Sequence, residues 1–598
     1  MTFKRLSGYL QQLEQNTSRL KITEILADLF KECKEEEIDK VCYLSLGRLL
    51  PQYQGIEFQM AQKMMEKAIG KAFGVEAERV RRKMRERGDL GEVGEEIKNQ
   101  KSSRFAAKIK TQELFEEAKD KGDMGKMGVL RVYERLMEIA KESGEGSVER
   151  KVEKMAALLQ DLDPLSVRFV IRMPLGKMRL GFSDMTVLDA LSWMLVGDKS
   201  LRAKLEDAYN VLADVGEIAR RVRSVGGIRG VGKIEPKLGT PILPALCQRL
   251  GMAEEIVEKL GEMAVEPKYD GTRLQVHLSH LSNLGASGVR IFTRNLENVT
   301  HMFPDIVKAL PREISAKEVI LDGEGVGIDP KTGKFLPFQE TIKRKRKHKI
   351  EEKVKEVPFN YFVFDILYKD GESLIGMPFE QRRKILEKVI RPGGLIKISP
   401  QIITKDAKKL RKYHDEQIEK GLEGVVAKKW HSPYEPGRRG FKWVKLKQEV
   451  TKKGGGLADT IDCVVMGTYR GKGKRAGFGV GAFLVGIRGR ENILTVSKIG
   501  TGLSDEQWKE LRMRSERWEL KEKPKEYEVD KNLFPDIWCR PEIVVEIQAD
   551  NITQSPVHTA GLALRFPRLV RFREDKEVGQ ITSIKELENL YKIQFREV

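Results

Sequence analysis

Proline constrains this chain more than any other residue. Of its 22 prolines, only Pro51, Pro164 and Pro174 precede residue 236, and the remaining 19 follow it. Inside a helix, proline removes a hydrogen bond and clashes with the preceding turn, at a cost of about 3 kcal/mol. A stretch almost free of it predicts an all-α region over residues 1–235. Apolar spacing agrees. Behind Ser147, read as an N-cap, Val148, Val152, Met155 and Leu159 recur at intervals of four, three and four, the repeat of one helix face. Ile22, Ile25, Leu26 and Leu29 recur in the same way.

The turn-rich stretch GGIRGVGKIEPKLGTPILP (226–244) closes that region. Strand-like runs then alternate with helical ones: VRIFTR (289–294), EVILDGEGVGI (318–328) and NYFVFDILY (360–368). They predict an α+β domain over 236–447. After the linker-like VTKKGGGLADT (450–460) come IDCVVMGTY (461–469), GAFLVGI (481–487), NILTVSKI (492–499) and EIVVEI (542–547). Short strands with glycine turns predict a small β-barrel over 448–598.

Charge narrows the partners. The net charge is +20 and the pI about 9.4, a balance that suits a polyanion. The most apolar stretch, Leu188–Val196, is broken by Asp189 and Ser192, far short of the roughly 18–20 residues that span a bilayer. The N-terminus MTFKRLSGYLQQLEQ has no apolar signal core. Cys33, Cys42, Cys247, Cys463 and Cys539 form no Cys-x-x-Cys pair, so neither a zinc site nor a disulfide framework is expected. These features predict a cytoplasmic protein without a membrane span.

No Gly-Lys is followed by Ser or Thr, and no His-Glu-x-x-His occurs, which removes the Walker A phosphate loop and the metalloprotease helix. The sharpest local signal is EPKYDGTRLQVH (266–277). Lys268 there is a candidate nucleophile, Arg273 a candidate bidentate phosphate grip, and Gly271 a tight turn between them. An ordinary solvated hairpin is the competing reading of Asp-Gly.

Lys-x-Asp-Gly-x-Arg resembles motif I of the covalent nucleotidyltransferases, the DNA ligases, RNA ligases and capping enzymes. Further family motifs follow in order: FTRNLENVT (292–300), LDGEGVG (321–327), FVFDILY (362–368), EGVVAKK (423–429), RRGFKWVKLK (438–447) and LRFPRLVRFREDK (564–576). With RFVIRMPLGKMRLGFSD (168–184) in the helical region, the whole chain is similar to ATP-dependent DNA ligases of the archaeal type. That resemblance implies a helical DNA-binding domain (1–235), an ATP-grasp-like adenylation domain (236–447) and an OB-fold (448–598), joined by linkers that let them close around duplex. An RNA ligase or capping-type enzyme is the alternative within the superfamily, and the long helical region argues against it.

The resemblance also implies roles. Lys268 carries AMP from ATP. Glu266, Arg273, Arg294, Glu324, Phe364, Arg439 and Lys445 bind ATP, Glu266 at the adenine edge and Phe364 stacked on the base. Lys447, Arg573 and Lys576 add phosphate contacts, and Arg573 and Lys576 orient pyrophosphate. Glu324 and Glu423 hold Mg²⁺ or Mn²⁺. Arg168, Arg172, Gly176, Lys177, Arg179 and Gly181 grip the DNA backbone. The expected partner is nicked duplex DNA in replication, repair and recombination. The protein is expected to be a monomer near the nucleoid. The basic run KRKRKHK (343–349) suggests further phosphate contact, and TQELF (111–115) a sliding-clamp peptide, against which stands a plain amphipathic helix turn.

Overall fold

The computed structural model describes residues 1–108, 127–224, 227–232, 234–281, 284–285, 287–336, 338–341, 354, 356–447, 460–471 and 478–593. The basic run 343–349, the segment 111–115 and most of 450–460 lie outside the described residues. The chain divides into two compact units, Met1–Lys447 and Gln448–Val598.

The first unit opens with helices packed on one continuous core. The three prolines of residues 1–235 all avoid helix interiors. Pro51 precedes a short 3₁₀ turn and Pro174 follows the helix Pro164–Arg172. Pro164 is the first residue of that helix, where Asp163 caps by accepting from the Ser166 N–H; the missing N–H of proline is harmless there. Ile22, Ile25, Leu26 and Leu29 are buried as their spacing predicts. The helix Ser147–Asp161 differs from expectation in one turn. Gly146, at φ 71°, takes the cap position, Ser147 is already helical, and Val148 is 47% exposed. The apolar face begins at Val152 because the first turn projects beyond the core.

Eleven strands follow in the same unit: β1 (Leu246–Arg249), β2 (Met263–Pro267), β3 (Thr272–Ser279), β4 (Val289–Thr293), β5 (Glu318–Gly327), β6 (Phe359–Lys369), β7 (Glu372–Ser373), β8 (Ile396–Ile398), β9 (Ile402–Thr404), β10 (Gly424–Lys429) and β11 (Arg439–Lys447). They form two sheets. One has the order β1-β11-β10-β2-β9, the other β4-β3-β5-β6-β7 with β8 beside β6. The chain changes sheets between β2 and β3, which is where Lys268 lies. Gly271 is needed there for close approach, not for a turn conformation: a Cβ on it would sit 2.4 Å from the Gly325 carbonyl of β5.

The linker ahead of β1 is stapled to one face of β3 by side chains. Gln275 accepts from the Ile242 N–H (2.8 Å) and donates to the Ile242 carbonyl (2.9 Å). His277 Nδ1 accepts from the Gly239 N–H at 3.1 Å, and its Nε2 lies 3.0 Å from Gln275 Oε1. The same linker reaches the helices, since the Leu243 N–H donates to the Asn210 carbonyl (2.8 Å). Arg438, just ahead of β11, pairs with Asp207, so helical region and sheets are tied both through this strap and directly.

In the second unit, β12 (Ile461–Arg470), β13 (Val480–Arg488), β14 (Ile493–Ile499), β15 (Glu519–Leu520), β16 (Tyr527–Glu528), β17 (Ile537–Cys539), β18 (Val544–Gln548) and β21 (Arg568–Phe572) form one sheet, with β19 (Asn551–Gln554) and β20 (Leu562–Arg565) as a separate ladder. β12 is buried on both faces, Cys463 and Val465 in one cluster and Val464 and Met466 in another, as in a sheet curled on itself. The helix Asp505–Arg517 carries a Ser504/Gln507 capping box.

Burial lowers the His277 pKa from 6.5 to about 3. The imidazole is fully buried and stays neutral in the folded chain while the unfolded chain protonates. Stability is therefore full above pH 6.5 and falls as the pH drops toward 3, by up to about 1.4 kcal/mol per pH unit. Thermal melts across that window are expected to show the decline, with a shallower slope for His277→Gln whatever its absolute stability.

Candidate active site and nucleic-acid interface

Lys268 follows the fully buried strand β2. Its backbone extends the β2–β10 ladder, donating to the Gly424 carbonyl (2.9 Å) and accepting from the Glu423 N–H (3.1 Å). That register places the Lys268 ammonium on the Glu423 carboxylate. Lys447 reaches the same carboxylate at 2.9 Å from β11. Burial acts to raise the Glu423 pKa, but Lys268 and Lys447 outweigh it and hold the carboxyl down to about 2. Gly424, at φ 132°, is obligatory beside it, because a Cβ would meet the Leu446 carbonyl at 2.2 Å.

From the opposite sheet, Glu324 faces Lys268. Burial pushes its pKa up to about 8, against the pull of Lys268 and Arg273. Lys445 shares the face of Lys447 on β11. Its pKa is lowered by burial and by its cationic neighbours Lys447, Lys268 and Arg439. Arg439 is exposed at the start of β11, and Arg294 is exposed on the turn after β4, outside this cluster of contacts.

Arg273 has its fork engaged within the protein. Its Nε and Nη2 donate to Asp322 at 3.0 and 2.6 Å, and Nη1 donates to the Ala245 carbonyl at 2.7 Å. The planar fork fits a carboxylate, and a buried one already fills it: Asp322 is 1% exposed and also accepts from Tyr434 Oη at 2.8 Å. Arg273 ties β3 to β5 and to the strap, with its guanidinium carbon 5.4 Å from the centre of the Phe364 ring.

Phe364 is half-buried on β6, edge-on to Trp443 at 5.9 Å. Beneath it lies Lys428, buried, with Nζ 4.5 Å from the Phe364 ring centre and 4.3 Å from that of Trp443. Lys428 Nζ pairs with Glu266 Oε2 at 2.9 Å. Glu266 is 2% exposed and its Oε1 has no hydrogen-bond partner among the described residues, with Arg383 Nη1 at 3.8 Å. A buried carboxylate oxygen left without a donor is costly and marks a place where a ligand N–H fits. Lys428 and Asp322 were not singled out from sequence, yet each is a charge inside an apolar strand, which by itself calls for a buried partner.

Glu324 and Glu423 flank Lys268 from two sheets. Oxygen donors of this kind suit Mg²⁺, which takes one or two carboxylates and fills its remaining positions with phosphate and water. No cluster of three or more His, Cys, Asp or Glu residues fit to hold a metal occurs among the described residues.

Three family profiles match this chain: "DNA ligase N terminus" over residues 2–192, "ATP dependent DNA ligase domain" over 244–447 and "ATP dependent DNA ligase C terminal region" over 476–576. The "Probable DNA ligase" of Dictyoglomus turgidum is 43% identical over 100% of this chain and 98% of its own length. The chain belongs to the ATP-dependent DNA ligases. The "DNA ligase" of Sulfurisphaera tokodaii is 38% identical, again over 100% of this chain and 98% of its own. Among solved structures, "mycobacterial DNA ligase D complexed with ATP and MES" aligns with 57% of this chain and 97% of its own at 25% identity, with a TM-score of 0.29.

In the helical region of this ligase, the residues assigned to DNA divide into two groups. Arg172 is 1% exposed, bonded to Asp89 at 2.7 Å and to Glu14 at 2.8 Å. It is a structural ion pair and not a backbone contact. Arg168 is mostly buried between Glu14 (3.2 Å) and Glu95 (2.5 Å). Beyond the helix the chain makes a turn and continues as irregular backbone, with Met178 and Leu180 buried while Gly176, Lys177, Arg179 and Gly181 are exposed. Gly176, Arg179 and Gly181 all have positive φ. In the second unit, Arg573 pairs with Asp462 (3.0 Å) and Asp575 (2.7 Å), and Lys576 with Asp462 (2.5 Å). No helix among the described residues is long and apolar enough to cross a membrane.

The two groups separate by experiment. Arg172→Ala leaves the buried Asp89 with the half-exposed Arg179 (3.2 Å) as its remaining cation and is expected to lower stability by about 3 kcal/mol, read by denaturant unfolding. Lys177→Ala is expected to leave stability nearly unchanged and to reduce the salt slope of nicked-duplex binding by about one.

Proposed function

We propose that this ligase seals nicks through three successive transfers, with Lys268 as nucleophile. The observation that carries this reading is the seating of Lys268 between carboxylates of two sheets, Glu423 and Glu324, with Lys445 and Lys447 alongside. An amine in that position has cations beside it to receive phosphate, and Phe364, on the strand next to that of Glu324, offers an aromatic face for the base.

In the first transfer, neutral Lys268 Nζ bonds to the α-phosphorus of ATP and the bond to the β-phosphate oxygen breaks, releasing pyrophosphate. The proton that Glu423 helps hold on the ammonium must leave beforehand. Lys445 and Lys447 neutralise charge that builds on the phosphoryl oxygens. Glu266 Oε1 accepts from the exocyclic amine of adenine, filling its vacant hydrogen bond, while Phe364 stacks on the ring. AMP then passes to the 5′-phosphate of the nick. In the last transfer the 3′-hydroxyl attacks that phosphorus and AMP departs. Glu324 and Glu423 would hold Mg²⁺ or Mn²⁺, which supplies charge neutralisation at the phosphates. Arg294 and Arg439 reach the nucleotide, and Arg573 and Lys576 reach pyrophosphate.

The reading assigns residues 1–235 to DNA binding, 236–447 to adenylation and 448–598 to an OB-fold. Lys177 and Arg179, with Gly176 and Gly181, contact the duplex backbone without reading bases. The enzyme acts as a monomer on nicked duplex in the cytoplasm, at the nucleoid, in replication, repair and recombination.

With α-labelled ATP and Mg²⁺, the parent protein is expected to acquire an acid-labile, base-stable label, and Lys268→Ala none. The variant is expected to lose sealing of an ordinary nick and to retain part of its sealing of a pre-adenylated nick. Equal activity of variant and parent on the ordinary nick would overturn the assignment of the nucleophile.

A further inference from the structure

Within the first unit, the helical region and the sheets enclose a cavity of about 580 Å³. Its volume falls in the range of small-molecule sites, roughly 300–1,000 Å³. Its described walls include none of the residues assigned above to ATP. Three segments supply its cations: Arg220 and Arg221 from the helix Val215–Ser224, Lys237 from the strap and Arg290 from β4. The acids among the described lining residues are Asp214 and Glu217, so cations outnumber carboxylates four to two.

Both acids are already answered from within the protein. Asp214 accepts from Tyr43 Oη (2.5 Å), Tyr53 Oη (3.1 Å) and the Glu217 N–H (3.0 Å). Glu217 takes Arg220 Nε and Nη2, each at 3.0 Å, and Arg221 Nε at 2.8 Å. Arg220 Nη1 and both Nη atoms of Arg221 are left without a partner among the described residues. Arg290 has only the Val289 carbonyl, at 3.4 Å, and Lys237 pairs with no carboxylate among the described residues. The loop between β3 and β4 makes room for the Arg290 guanidinium, since a Cβ on Gly285 would sit 3.0 Å from its Nη2. Asn298 Oδ1 accepts from the Thr300 N–H (3.2 Å) and hydroxyl (2.7 Å), which leaves the Asn298 NH2 as a further donor.

Like charges brought from three segments around one space repel each other, and an anion among them removes that cost. Guanidinium forks with free Nη atoms match phosphate oxygens in geometry as well as charge. A single phosphate is too compact to meet all three segments, whereas two linked phosphates carry more charge and reach further. The aromatic rings in the wall, Tyr53 and Phe292, are buried and set edge to face at 6.2 Å, with Phe292 also against His277 at 5.0 Å. The cavity therefore selects for charge, not for a stacked base. We propose that it is a second phosphate-binding site of this ligase, taking a diphosphate group, as free pyrophosphate or as the phosphate chain of a nucleotide, on Arg220, Arg221, Lys237 and Arg290. An occupant there ties the helical region to the strap and to β4. The inference stands on the residues of this cavity and not on the role proposed for Lys268.

The test is calorimetric titration of the full chain as parent, Arg290→Ala and Lys237→Ala, freed of AMP and with Mg²⁺ present. α,β-Methylene-ATP, which cannot transfer AMP, is added first and pyrophosphate second. The first equivalent of the analogue fills the ATP site, and parental affinity for it shows that a variant is folded. In the parent, one equivalent of analogue followed by one of pyrophosphate assigns the cavity to free pyrophosphate. Two equivalents of analogue, the second displaced by pyrophosphate, assign it to the nucleotide chain. In either case Arg290→Ala is expected to weaken the second event about tenfold, and Lys237→Ala, at an exposed position, several-fold. Absence of a second event in the parent overturns the proposal, as does a second event that both variants leave unchanged. If Arg290→Ala does not fold, Lys237→Ala decides alone.

Discussion

The ion bridge from Lys268 and Lys447 to Glu423 is the interaction on which the site depends. It forms because the chain leaves one sheet at Lys268 and enters the other at β3, while β10 and β11 bring Glu423 and Lys447 to that crossing. Lys447, Lys268 and Arg439 all bear on Lys445 there. Such a concentration of positive charge is stable only with carboxylates threaded through it. Glu423 answers the lysines, Asp322 answers Arg273, and Glu266 answers Lys428. Glu423 lies nearer the surface, whereas Asp322, 1% exposed, cannot leave without unpairing Arg273.

Burial separates charges that act from charges that brace. Arg382 and Asp365 are both fully buried and bonded at 2.8 and 3.0 Å, and Arg172 with Asp89 is the equivalent in the helical region. A surplus of +20 attracts a polyanion as a field property of the whole surface, but individual arginines contribute to it unequally. Arg172 and Arg382, fully buried against acids, brace the fold, while Lys177 is exposed on an irregular segment and presents its charge to solvent.

Much of the chain was legible because its signals are local. Strands and motif positions followed from apolar alternation and from fixed spacing, and the rarity of proline marked the helices. Departures arose where a neighbour distant in sequence decides. Ser147 has the chemistry of a cap, yet the chain enters the helix through the left-handed Gly146 and leaves Val148 outside the core. Gly271 has the chemistry of a turn, yet it is required by the Gly325 carbonyl more than fifty residues away. Arg273 matches a phosphate-binding pattern, yet its fork is taken by Asp322. Lys428 and Asp462 carry no motif position of their own in the sequence reading, and only their partners show what they do.

The sequence by itself determined the kind of chemistry: a lysine in a Lys-x-Asp-Gly-x-Arg frame, acids and bases at motif spacing, a helical region and two strand-rich ones. Those properties follow from residue type and short-range order, which the chain carries before it folds. Only the tertiary structure decided which charges face each other. Ion pairing depends on distances of a few ångströms between residues tens to hundreds of positions apart, and on burial that makes each pairing strong or each orphan costly. Neither quantity exists until the two sheets meet.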